Sequence, residues 1–99
     1  MIARIKIAGN YLETIDPFGK RIARDYNNDQ VLGYSSEIVV TKEGNYVSVL
    51  DENLRKIARI RLDFDDFIGA AGETFSVLQG NYVETYDKNG KKISRTYDN

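Results

Sequence analysis

The chain has 99 residues, a formal net charge of −1, and neither cysteine nor histidine. A chain of that length makes one domain with a modest core. The missing cysteines exclude disulfides and thiol chemistry, and the missing histidines remove the commonest general base and soft-metal ligand. The balanced charge gives no global attraction for nucleic acid or an anionic membrane, and no apolar run approaches the length of a membrane-spanning helix. With no signal-peptide pattern in the opening residues, the expected location is the cytoplasm.

Met1 to Ala8 alternates, with Ile5 and Ile7 on one face and Arg4 and Lys6 on the other, which is the period of a half-buried strand. Gly9-Asn10 suits a two-residue hairpin turn. Tyr11 to Asp16 alternates again, Asp16-Pro17-Phe18-Gly19 is a second turn, and Lys20 to Tyr26 makes a third strand. Asn27 to Gln30 is a polar loop. Val31 to Ser36 is a short strand around Gly33, with a counterpart in Phe67 to Gly72 around Gly69; small residues there predict close backbone approach on a crowded inner strand. Glu37 to Glu43, Tyr46 to Asp51 and Arg55 to Leu62 are the next strands, turned by Gly44-Asn45 and by the glycine-free Glu52-Asn53-Leu54. After the acidic loop Asp63 to Asp66 come Phe67–Gly72, Thr74–Gln79, Tyr82–Asp87 and Lys91–Tyr97, with Asp87-Lys88-Asn89-Gly90 the strongest hairpin signal. No window holds a helical period, so the expectation is about eleven short strands and an all-β fold.

The strands follow a repeated frame. Gly-Asn-Tyr stands at 9–11, 44–46 and 80–82; Asp16, Asp51 and Asp87 lie seven residues after each glycine, Ile22, Ile57 and Ile93 thirteen after, and Arg24, Arg59 and Arg95 fifteen after. A fixed period of this kind is the mark of a repeat architecture. It divides one domain, residues 1–99, into three tandem antiparallel meanders of three to four strands, about 1–30, 31–66 and 67–99.

Four short antiparallel strands per unit, the first rich in small residues, resemble the blade of a β-propeller. The segment from Tyr82 to Ile93, with its glycine turn, aromatic strand, aspartate, second glycine turn and basic pair, is similar to short bacterial repeats named for a Trp-Gly pair. That resemblance implies a role in protein interaction. Closed propellers need about four to eight blades, and an incomplete ring leaves strand edges and blade faces uncovered. The expectation is therefore a homodimer completing a six-unit ring through a two-fold interface; its rival is a self-contained monomer.

The residue pattern supports a non-enzymatic, self-associating protein-binding or scaffold module. The alternatives are a small lectin-like or anion-binding module and a structural subunit of a larger assembly. Tyr11, Tyr46 and Tyr82 are candidates for stacking a carbohydrate, against a plain role in cross-strand packing. Lys20-Arg21, Arg55-Lys56 and Lys91-Lys92 occupy one repeat position and would form a basic rim for an acidic partner, against plain edge protection. Asp16, Asp51 and Asp87 read as turn caps, while Arg24, Arg59 and Arg95 are expected to pair with a repeat-mate aspartate or line a sheet face. Asp63, Asp65 and Asp66 lack the spacing of a calcium loop and read as solvated. No catalytic, metal or cofactor motif is present in the sequence, and nucleic acid is a minority reading.

Overall fold

The alternating segments pair with their sequence neighbours throughout. A computed structural model describes residues 1–97, and within them eleven strands form three antiparallel sheets, each a simple meander. The first sheet holds β1 (Arg4–Ala8), β2 (Tyr11–Ile15) and β3 (Arg21–Tyr26). The second holds β4 (Gln30–Tyr34), β5 (Val39–Glu43), β6 (Tyr46–Leu50) and β7 (Lys56–Arg61). The third holds β8 (Asp66–Ala71), β9 (Thr74–Gln79), β10 (Tyr82–Asp87) and β11 (Lys92–Tyr97). No helix occurs among the described residues, so none is long and apolar enough to cross a membrane.

Two boundaries move for a physical reason. The strand expected from Glu37 begins at Val39, because Ser35 bends the chain: its Oγ accepts the N–H groups of Glu37 and Ile38 at 3.2 Å, and its own N–H donates to the Ile38 carbonyl at 2.9 Å. Met1 to Ala3 leaves the strand expected at the start. Instead Ile2 is buried, its N–H donating to the Ser36 carbonyl at 2.8 Å.

Side-chain alternation gives every sheet two faces, and the sheets stack in chain order. One core joins Leu12, Ile22 and Ala23 of the first sheet to Val31, Val39 and Leu50 of the second, with Ile2 and Leu54 filling the seam. The other joins Leu32, Val40, Val47, Val49, Ile57 and Ile60, from the opposite face of the second sheet, to Phe67, Phe75, Val77 and Tyr86 of the third. We call the face carrying the repeat tyrosine the front and its opposite the back. The back of each sheet then lies on the front of the next. Side-chain hydroxyls tie the same seams: Thr14 Oγ1 donates to the Glu52 carbonyl at 2.7 Å and Ser35 Oγ to the Gly72 carbonyl at 2.6 Å.

The small-residue strand expectation resolves into two different outcomes. A Cβ at Gly33 would lie 2.7 Å from the Phe67 ring, so β4 and β8 approach closely only because position 33 is glycine. The same Cβ at Gly69 meets nothing within 4 Å, since among the described residues no sheet lies against that face of β8. The second turn of each repeat behaves likewise. Gly19, Leu54 and Gly90 share one position and a left-handed backbone, with φ of 83°, 63° and 82°. For leucine that conformation costs about 1–2 kcal/mol. Burying its side chain in the first seam returns about 1.5–3 kcal/mol, which decides the balance.

Gly19 and Gly90 provide a matched test of the stacking. A Cβ at Gly90 would sit 2.5 Å from Ile60 Cγ2 of the preceding sheet, whereas one at Gly19 meets nothing within 4 Å. Gly19→Ala is expected to cost about 1–2 kcal/mol from backbone strain, and Gly90→Ala a further 1–3 kcal/mol from overpacking. Urea unfolding of the two variants measures the difference; equal losses would contradict the packing of the third sheet on Ile60.

Candidate binding surfaces

The repeated aspartates close their turns by an identical geometry. Asp16 Oδ1 accepts the N–H groups of Phe18 and Lys20 at 2.9 and 2.8 Å. Asp51 Oδ1 accepts those of Asn53 and Arg55, both at 2.9 Å, and Asp87 Oδ1 those of Asn89 and Lys91 at 2.9 and 3.0 Å. Each carboxylate thus satisfies two backbone donors in a bend that leaves them no ladder partner. In the acidic loop, Asp65 Oδ2 does similar work by accepting the Gly80 N–H at 2.7 Å.

The candidate tyrosines and the repeat arginines form one unit in all three sheets. The guanidinium of Arg24 lies 4.2 Å from the Tyr11 ring centre, that of Arg59 4.1 Å from Tyr46, and that of Arg95 3.8 Å from Tyr82. The arginines therefore stack on an aromatic ring instead of meeting an aspartate. Each such contact contributes about 0.5–1 kcal/mol where exposed. Tyr11 and Tyr82 also meet Tyr26 and Tyr97 edge-on at 6.1 and 5.5 Å, while Arg61 takes that register position opposite Tyr46. Cross-strand packing accounts for the recurrence of these tyrosines, and Tyr11 and Tyr46 keep an exposed edge.

A glutamate that the sequence reading did not single out completes the unit in the first and third repeats. Glu13 Oε2 lies 3.5 Å from Arg24 Nε and 3.8 Å from Arg21 Nη1. Glu84 Oε2 lies 3.4 Å from Arg95 Nε and 3.1 Å from Lys92 Nζ, and its other oxygen accepts the Tyr86 hydroxyl at 3.1 Å. The signal was available: both glutamates stand four residues after the repeat glycine, and Ser48 stands there in the second repeat.

The basic rim is thereby divided. Arg21 and Lys92 are held by carboxylates, whereas Lys20, Arg55 and Lys91 use their backbone N–H groups to close the aspartate turns. Lys56 faces Leu50 in register and lines a cleft between the first and second sheets.

Glu84 and Tyr86 are buried beneath the exposed Lys92 and Arg95, and the cluster governs their titration. Burial works to raise its carboxyl pKa, but hydrogen bonds from Lys92 and Tyr86 and the nearby Arg95 outweigh it and leave the group below its ordinary value of 4.5. Burial, with the bond to Glu84 added, pushes the Tyr86 phenol up to about 12. No protein-family model matches the chain, and no curated protein is found to be similar to it.

The signs of the two shifts predict both limbs of the stability curve. The depressed Glu84 carboxyl contributes stability that is complete above 4.5 and lost as pH falls through its folded value. At pH 7, Glu84→Gln is expected to cost about 1–3 kcal/mol, and the gap to the parent chain should close on acidification. The raised Tyr86 phenol stabilises below its ordinary value of 10, and that contribution should disappear between pH 10 and about 12, an alkaline loss absent from Tyr86→Phe. Thermal melts across pH check both.

Proposed function

We propose that this chain is a non-enzymatic, self-associating binding module whose third sheet docks its back face on the front of the first sheet in a second copy. The observation that carries this reading is the fate of one repeat position. Ile22 and Ile57 pack into the two seams beneath the next sheet, while their equivalent Ile93 is 53% exposed. Ile68, the equivalent of the packed Leu32, is also 53% exposed.

A second copy suits this face better than an unrelated partner. Each back face inside the chain is covered by the front of a following repeat, and the first sheet carries the one front without a sheet against it among the described residues. Charge favours the same match. Exposed Arg4 and Lys6 lie on that front, and exposed Asp66 shares the back of the third sheet with Leu78, its register partner. The centre of the back face is polar as well, with Ser76 and Thr85 hydroxyls bonded at 2.7 Å in the places of Val40 and Val49. Continued between two copies, front-on-back stacking supplies six repeats, a number within the range of closed propeller rings.

Sedimentation equilibrium tests this. The parent chain should have twice its 11.3 kDa mass at micromolar concentration. Ile93→Glu combined with Ile68→Glu should weaken association by about a hundredfold and leave the melting temperature of the monomer unchanged, because both side chains are already solvent-facing. A parent chain that stays monomeric at high concentration would remove the reading.

A further inference from the structure

We propose that the cleft between the first and second sheets binds a small carboxylate, whose anionic group takes the place that a glutamate side chain holds in the other two repeats. The second repeat keeps both cations of the unit and lacks the anion. Arg59 faces Ser48 in register as Arg24 faces Glu13 and Arg95 faces Glu84, and Lys56 occupies the position of Arg21 and Lys92. In the outer repeats these cations sit 3.1–3.8 Å from the carboxylate. Neither Lys56 nor Arg59 has a carboxylate within ion-pair distance among the described residues.

A cleft of about 620 Å³ opens where the glutamate is missing, with Ser48, Thr41, Lys56 and Asp25 among its lining residues. Ser48 is 4% exposed and Thr41 1%, and both residues border the cleft. Two hydroxyl-bearing residues at the cleft, beside the Lys56 cation, supply donors suited to an anion. The residue facing the glutamate position is Lys6 in the first repeat, Thr41 in the second and Val77 in the third, so in the second repeat a hydroxyl faces a hydroxyl.

The opposite wall limits the rest of the ligand. Asp25 and Asp29 line it with acceptor oxygens and repel a second negative charge. The ligand is therefore a monocarboxylate at the Lys56 end, with hydroxyl groups toward the aspartates, the chemistry of a sugar acid. This cleft is separate from the back face of the third sheet, so its occupancy is independent of self-association.

Glucuronate is the probe, with glucose and inorganic phosphate as controls. Titration of the ¹⁵N-labelled chain should give saturable amide shifts at the cleft residues Ser48, Lys56 and Asp25 with glucuronate, and no saturable shifts with glucose. Phosphate binding as tightly as glucuronate would overturn the assignment to carboxylates. Lys56→Met, at a solvent-facing position, should weaken glucuronate by about tenfold or more. Ser48→Glu supplies the carboxylate internally; it should abolish glucuronate binding and raise the melting temperature by roughly 4–8 °C. A solvent-filled cleft with no ligand predicts non-saturating shifts for both sugars, and that result would overturn the proposal. So would a Ser48→Glu chain that binds as the parent does, or one that is destabilised, since the space would then not admit a carboxylate.

Discussion

No sheet in this chain buries its own apolar face; each depends on the sheet beside it. A three- or four-stranded meander has two faces, and hydrophobic stabilisation requires another surface within side-chain reach. The second sheet has that cover on both sides, which is why Val39 and Val40, adjacent residues pointing in opposite directions, are both fully buried. Among the described residues, the first and third sheets are covered once. Their uncovered faces explain the charged front at Arg4 and Lys6, the polar centre at Ser76 and Thr85, and the apolar remainder at Ile68 and Ile93.

The seams are also where repeat symmetry is broken. Gly19, Leu54 and Gly90 share a backbone conformation but meet different surroundings: open space, a seam with room to fill, and Ile60. Ser48 departs from Glu13 and Glu84 in the same way, since the front of the second sheet faces Leu12 and the cleft, while Glu84 faces a seam crowded with aromatic rings. Equivalent positions diverge because their neighbours differ, although the hairpins themselves are nearly identical.

Much of this was legible in the residues. Glycine, asparagine and aspartate fix turns locally, so the eleven strands and the three aspartate caps follow from spacing alone. The sense of stacking did not follow, because period-two alternation says that a strand has two faces without saying which partner covers either. Leu54 gave no glycine signal for its left-handed turn; tertiary burial overrides the local preference there. Of the two placements expected for the arginines, they line a sheet face, and pairing with the aspartates fails because those carboxylates are consumed by backbone donors. The glutamate four residues after the glycine required comparison of the three repeats position by position, and the serine in the second was the informative exception.

Every hydrogen-bonded strand pair joins segments that are consecutive in the chain. Such a layout has a genetic corollary. A duplication of one unit lengthens the pile by a layer without breaking any strand pairing already present, whereas a deletion in the middle would bring together two surfaces, those of Leu12 and Phe75, that belong to different seams. Layer number can thus change without re-pairing any strand, and the Ser48 layer, covered on both sides, holds a difference that the other two repeats do not share.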